Sequence, residues 1–248
     1  MPELSAMLRA PPVPKGPFVT SAPFATPSCQ MIHGRRVLFV MALGQEYGPC
    51  LRARFVPLMT GVGPIEAALA SGSALERLAS LGQLPDLVVT LGSAGSQRCA
   101  LGEVFQVASV SWRDIDASPL GFVKGVTPFV DHPVALPLTT PLDWPLATLS
   151  TGADVVSGSA YDAIDADMVD METFAVARAC DRYGVPLMGL RGISDGPGDL
   201  AGVHDWTALL HLLDERLAVA VDALADALDQ PQDMRGGIVG PGGVAVDR

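Results

Sequence analysis

Short runs of wholly apolar residues punctuate this chain, and most lead through small or acidic residues into a stretch with helical periodicity. Val37–Ala42 is the clearest run, and Leu87–Thr90 and Leu187–Ile193 follow the same pattern apart from Thr90 and Arg191. A strand with one wet face alternates apolar and polar residues. An unbroken apolar run fits a strand covered on both faces, as in a parallel sheet between helical layers. Val56–Thr60 and Val104–Val110 read as further strands. Pro64 suits a first helical position, since its missing N–H would be unpaired there anyway. Ile65, Ala68, Leu69, Gly72, Leu75 and Ala79 then recur at helical spacing. Met168–Tyr183 reads as a helix stopped by Gly184 and Pro186, and Trp206–Leu228 as a long amphipathic one with Trp206, Leu209, Leu213, Leu217, Ala220 and Leu224 on one face. The expected fold class is α/β: a three-layer sandwich around a mixed, largely parallel central sheet.

The organisation expected is one domain over residues 35–229. Residues 1–34, rich in Pro, Ser and Ala, read as a loose extension in which Met31 offers a second start. Residues 230–248, with Gly236-Gly237 and Gly240-Pro241-Gly242-Gly243, read as a disordered tail. A net charge of −11 without any Lys/Arg cluster argues against nucleic acid as a partner. No apolar run approaches the roughly 18–20 residues of a membrane span, and no signal-type apolar segment precedes residue 34, so a cytoplasmic protein is expected. Cys29, Cys50, Cys99 and Cys180 match no CxxC or knuckle spacing, and the four histidines are scattered. Reduced thiols and no metal or other cofactor are the reading.

Ligands of open α/β sheets bind beyond the carboxyl ends of the strands. Four places qualify: Gly44-Gln45-Glu46, Gly61-Val62-Gly63, Gly92-Ser93-Ala94-Gly95 and Ser194-Asp195-Gly196. Glu46 is the only acidic side chain between Glu3 and Glu66. Just past a buried strand, it is placed to have its pKa raised into a range useful to a general base, or else to be a solvated loop residue. The two glycine-rich stretches read as tight turns that let backbone N–H groups approach a ligand. They lack the dinucleotide spacing G-x-G-x-x-G. Arg191, on an apolar strand, needs an anionic partner, such as Asp170 or Glu172 in a structural ion pair. Asp170-Met171-Glu172 is expected at a helix start, where the dipole favours carboxylates.

The order of these pieces resembles the nucleoside phosphorylase superfamily, and within it the 5'-methylthioadenosine/S-adenosylhomocysteine nucleosidases. It runs from Val37–Ala42 and Glu46 through Gly61-Val62-Gly63, Thr90-Leu91-Gly92-Ser93-Ala94-Gly95 and Asp114-Ile115-Asp116. It ends with Val169-Asp170-Met171-Glu172 and Leu190-Arg191-Gly192-Ile193-Ser194-Asp195. The Met-Glu pair followed 23 residues later by Ser-Asp is the most specific element. The resemblance implies hydrolysis of an N-ribosyl bond through an oxocarbenium-like state, with adenine released. In that mechanism Asp195 protonates N7 of adenine, which requires a protonated carboxyl at a poorly solvated site or a relay. Glu46 activates water with help from Ser93 and Arg191, and Glu172 binds the ribose hydroxyls. Met171 packs on the ribose, and Val155, Val156, Gly95, Ser194 and Leu120 complete the substrate-binding set. Leu120, in the stretch Asp114–Phe122, is implied to reach the neighbouring subunit's pocket in a homodimer.

Three departures from the family pattern stand out. Leu120 takes the place of an aromatic, and Val155 that of a stacking Phe. Only 14 residues separate Glu46 from Gly61, where the family fits a further helix and hairpin. Two rival readings accompany the hydrolase. A phosphorylase would need cations around phosphate, but Thr90-Leu91 stand where the family's phosphorylases carry Arg, leaving only Arg52 and Arg54 nearby. A catalytically silent nucleoside binder would need no water-activating carboxylate.

Overall fold

The computed structural model describes residues 27–196, 198 and 206–229. The strands are β1 (Gln30–Ile32), β2 (Arg35–Met41), β3 (Leu58–Met59), β4 (Leu87–Gly95), β5 (Val104–Trp112), β6 (Ala135–Pro137), β7 (Leu146–Thr151), β8 (Met168–Asp170) and β9 (Leu187–Asp195). The helices are α1 (Pro49–Arg52), α2 (Pro64–Ser80), α3 (Thr173–Arg182) and α4 (Leu210–Asp229). Strands β2, β4 and β9 lie side by side in parallel, in the order β2-β4-β9, with β3 parallel on β2. The β5–β7 and β7–β8 pairs are also parallel, whereas β1–β2, β4–β8, β5–β6 and β5–β9 are antiparallel. The expected mixed sheet is present, and its pairings close a ring: β4 to β9, β5, β7, β8 and back to β4. Gly95 is the hinge of that closure, facing Asp195 on one side and Val169 on the other.

The unbroken apolar strands sit between two cores. Leu38, Val40 and Val88 pack with Leu75, Leu78, Phe174 and Val176 from α2 and α3. Val37, Phe39, Leu87 and Val89 pack on the other side with Leu213, Leu217 and Leu224 of α4. Each strand buries both rows of side chains because helices cover both faces, which is what its composition required.

Several boundaries differ from expectation. The fold begins before residue 35: Gln30–Ile32 pairs with Val37, Arg36 and Arg35, so Met31 lies inside a strand. The hairpin turns on His33 and Gly34, both at positive φ (46° and 79°), the geometry that matches strand twist in a two-residue loop. Residues 1–26 and 230–248 lie outside the described residues. The expected helix over Met168–Tyr183 is two elements. Met168–Asp170 is a fully buried strand against β7, and the helix starts at Thr173, whose N–H donates to Asp170 Oδ2 at 3.0 Å. Three consecutive buried residues suit a strand between two others better than a one-sided helix. Gly92–Gly95 is not a turn but the end of β4. The long last helix begins at Leu210, and Trp206, ahead of it, faces a cavity instead of the core. No helix among the described residues is long and apolar enough to cross a membrane.

Candidate active site

The carboxyl ends of β2, β4 and β9 open into a cavity of about 430 Å³. Glu46, Ser93, Gly95, Val155, Val156, Met171, Glu172, Ser194 and Asp195 all line it. Glu46, Ser93 and Asp195 meet because the parallel strands β2, β4 and β9 end on one side, while Val155, Val156, Met171 and Glu172 come in from the segments after β7 and β8.

Glu46 follows β2 in a tight turn and is 8% exposed. Its Oε1 accepts two hydrogen bonds from one residue, the N–H and the hydroxyl of Ser93, both at 2.7 Å. Gly92 makes room for this: a Cβ there would stand 3.2 Å from Glu46 Oε1. Burial pushes the Glu46 carboxyl above the ordinary range, and the Ser93 hydrogen bonds and the nearby Arg191 charge only partly offset it. The Ser93 hydroxyl in turn accepts the indole N–H of Trp206 at 2.9 Å.

The short segment after Glu46 is held by the opposite end of the chain. Asp214 of α4, 3% exposed, accepts the N–H groups of Cys50 and Leu51 at 2.8 and 3.0 Å, satisfying the open end of α1. The Gly48 backbone lies against that carboxylate so closely that a Cβ would collide with it. Phe55 stacks on Phe39 of β2 at 4.1 Å, and the Tyr47 hydroxyl donates to the Phe55 carbonyl.

Glu172 precedes α3, and its Oε1 accepts the Gly63 N–H at 2.9 Å. Gly63, at φ 95°, turns that N–H inward at the start of α2. Burial, then the neighbouring Asp170 charge, pushes Glu172 up to about 7. Arg191 does not line the cavity. Its guanidinium is 3% exposed and pairs with Asp170 Oδ2 at 2.9 and 3.3 Å, with further bonds to Thr173 and Thr90. Of the two partners anticipated for it, Asp170 holds the pair. Behind the cavity lies a recess of about 10 Å³ that Arg191 does line, together with Glu46, Ser93, Thr60, Thr90 and Glu172. That is room for about one water.

Asp195 ends β9. Ser194 Oγ donates to its Oδ1 at 2.6 Å, and the Tyr161 hydroxyl to its Oδ2 at 3.3 Å. Leu120 is 78% exposed, in a single turn, Ser118–Leu120, and does not reach this chain's cavity. Val155 is also exposed at 68%, whereas Val156 is buried.

Sequence reasoning missed Tyr161, Arg113 and the cavity-facing role of Trp206. Tyr161 sits in a 3-10 turn, Gly158–Ala163, with no periodic pattern to mark it. Arg113 follows β5 and lines the cavity, its protons given to the carbonyls of Ser150, Asp154 and Asp170. Among the described residues no cluster of three His, Cys, Asp or Glu side chains is arranged to hold a metal ion.

A model of the phosphorylase superfamily matches residues 148–228. A 5'-methylthioadenosine/S-adenosylhomocysteine nucleosidase of Actinobacillus succinogenes is 28% identical over 173 residues, 60% of this chain and 70% of the relative. The enzyme of the same name from Haemophilus influenzae is 30% identical over 173 residues, 60% of this chain and 71% of the relative. The chain belongs to this nucleosidase family. The fold agrees: a nucleosidase of the same name from Colwellia psychrerythraea, solved with adenine, superposes with a TM-score of 0.66 at 18% identity, covering 81% of this chain and 97% of that one. Futalosine hydrolase of Helicobacter pylori gives 0.64 at 18% identity, covering 77% and 97%. Within the family this member holds the loop after Glu46 through Asp214 and α1, and it carries aliphatic Val155 at the cavity and aliphatic Leu120 away from it.

Proposed function

We propose that the chain hydrolyses the N-ribosyl bond of 5'-methylthioadenosine or S-adenosylhomocysteine, releasing adenine and the 5-thio-substituted ribose. The observation that carries this reading is electrostatic. Among the described residues the cavity is lined by Glu46, Asp154, Asp170, Glu172 and Asp195 against a single guanidinium, Arg113, which is already held by carbonyls. Such a site repels phosphate and favours positive charge on the sugar. The rival cations are committed elsewhere. Arg54 pairs with Asp222 through two bonds of 2.7 and 2.6 Å, and Arg52 donates to the Tyr47 carbonyl and stacks on its ring. A recess the size of one water beside Glu46 suits hydrolysis over phosphorolysis.

In this reading the C1'–N9 bond breaks with its electron pair passing to the purine, and Asp195 gives its proton to N7. Water held at Glu46 adds to C1' from the opposite face and leaves its proton on Glu46, as in an inverting glycosidase. Ser93 fixes the Glu46 carboxylate, and Arg191 keeps the floor of the recess positive while paired to Asp170. Glu172 receives the ribose hydroxyls, Met171 packs on the sugar, and Gly95, Val155, Val156 and Ser194 frame the base. A homodimer completes the site, with Leu120 closing the partner's pocket. The exposed Leu120, Val123 and Phe129, at 78, 71 and 97%, support such an interface. Activity in the cytoplasm, within methionine salvage, belongs to the same proposal; the four cysteines are all unpaired, as a reducing compartment keeps them.

The test is adenine release from both substrates, followed by chromatography, with and without phosphate. Equal release in both buffers is expected. Release only with phosphate overturns hydrolysis, and no release overturns the substrate class and turns attention to 6-substituted nucleosides such as futalosine.

A further inference from the structure

Asp195 has a partner that its own strand does not supply. The Tyr161 ring is 2% exposed and packs with Val156 and Val169 in a small cluster separate from the two main cores. Its hydroxyl lies 3.3 Å from Asp195 Oδ2, while Ser194 holds Oδ1 at 2.6 Å. The turn that carries it is fastened from below, the Tyr161 carbonyl accepting Gln97 Nε2 at 3.2 Å. Gly95 lies directly between the elements. A Cβ at that position would overlap the Tyr161 hydroxyl and stand 2.6 Å from Asp195 Oδ2. The absence of a side chain at the ring-closing residue of the sheet is what lets the phenol reach the carboxyl.

We propose that Tyr161 is the positioning residue of the general acid, its hydroxyl fixing Asp195 Oδ2 and following the carboxyl through its change of charge. This rests on the reading of Asp195 as the group that protonates the leaving base. A phenol hydroxyl both accepts and donates. Beside the protonated carboxyl it can accept, and once the proton has passed to the purine it donates to the new carboxylate. Burial, and then the Asp195 charge, push the Tyr161 hydroxyl above its ordinary range, so it keeps its own proton throughout and acts as a donor, not as the acid. Its effect therefore falls on the departure of the base and not on the sugar or the water.

That location gives a readout a merely structural residue would not move. Y161F keeps the packed ring and removes one oxygen. Two substrates are compared: 5'-methylthioadenosine, whose base must be protonated, and the 4-nitrophenyl riboside with the same 5'-methylthio group, whose phenolate leaves unaided. With methylthioadenosine, Y161F is expected to lose about 10- to 100-fold in kcat with KM nearly unchanged. With the nitrophenyl riboside it should match wild type. D195N sets the pattern, losing more with the first substrate and little with the second. Y161M, which also removes the hydroxyl while leaving an apolar side chain beside Val156 and Val169, should reproduce the selective loss and serves if Y161F does not fold. Wild-type turnover of methylthioadenosine by Y161F, or an equal loss on both substrates, overturns the inference alone. Wild-type enzyme that releases no adenine overturns the proposed function and this inference with it. Equal loss on both substrates by D195N removes the acid on which Tyr161 would act.

Discussion

Glu46 is buried with two hydrogen bonds on one oxygen, so a change of its charge can be made without losing its place. E46Q keeps an acceptor for Ser93. It should retain the fold and substrate affinity while kcat falls about 10²- to 10⁴-fold; unchanged single-turnover rates would remove Glu46 as the base. Glu172 makes a prediction about stability. Burial pushes its carboxyl up to about 7 in the folded protein, from an ordinary 4.5. Between those values the native protein holds a proton that the unfolded chain has released. Stability is therefore largest below pH 4.5 as far as this group is concerned, and is lost as pH rises through about 7. Melting curves of wild type and E172Q, taken from pH 4.5 to 8, should show wild type falling relative to the variant. Parallel curves would mean that Glu172 is solvated. Glu46, shifted in the same direction by burial, also raises Glu172 through its charge, so the comparison is repeated in an E46Q background.

At the scale of elements, the link to examine is α1. Four residues of helix are far too few to hold themselves, and here a buried carboxylate from α4 supplies what the helix end lacks. D214A leaves two N–H groups without their acceptor at a partly buried site, at a cost of about 1–3 kcal/mol. Because Glu46 lies just ahead of α1, activity should fall more than the melting temperature alone accounts for. A variant that melts lower but turns over normally at low temperature would show that Glu46 is held by Ser93 alone. The more exposed Arg54–Asp222 pair, which ties the residues just after α1 to α4, should matter far less, since solvent screens it. Strand β8 and helix α3 teach a related point. Their apolar residues, Met168, Val169 and Met171 and then Phe174–Ala177, can be read as one helix in the sequence, and the Asp170 carboxylate on the Thr173 N–H marks where the strand ends and the helix begins.

For the molecule as a whole, the expectation concerns assembly. Leu120, Val123 and Phe129 form an exposed apolar stretch, with Phe122 and Phe129 in edge contact at 5.6 Å, and Ile65 and Leu69 add exposed aliphatic side chains on α2. Sedimentation velocity should give a dimer. L120D combined with F129D should shift it toward monomer and raise KM for 5'-thio substrates, since the pocket would lose a wall supplied by the partner. A fully active monomer would place the whole 5'-substituent site within one chain.

The sequence alone determined the layered α/β architecture, because unbroken apolar runs can be satisfied only between two helical layers. It also determined the neighbourhood of Glu46, Ser93 and Asp195, because parallel strands must end on one side, whereas Glu172 was implied there only by the family resemblance. Arg191 was recognisable as a buried cation in need of an anion, but which carboxylate it takes depended on the packing of β8 against β4 and β7. Tertiary structure alone decided that Gly92–Gly95 is strand, that Gln30–Ile32 joins the sheet, that Asp214 holds the start of α1 and that Tyr161 meets Asp195. Those contacts join residues more than 30 positions apart through side chains in no periodic pattern. Hydrophobic periodicity records which face of an element is covered, whereas a hydrogen bond between two distant polar groups leaves no such trace until the elements between them are in place.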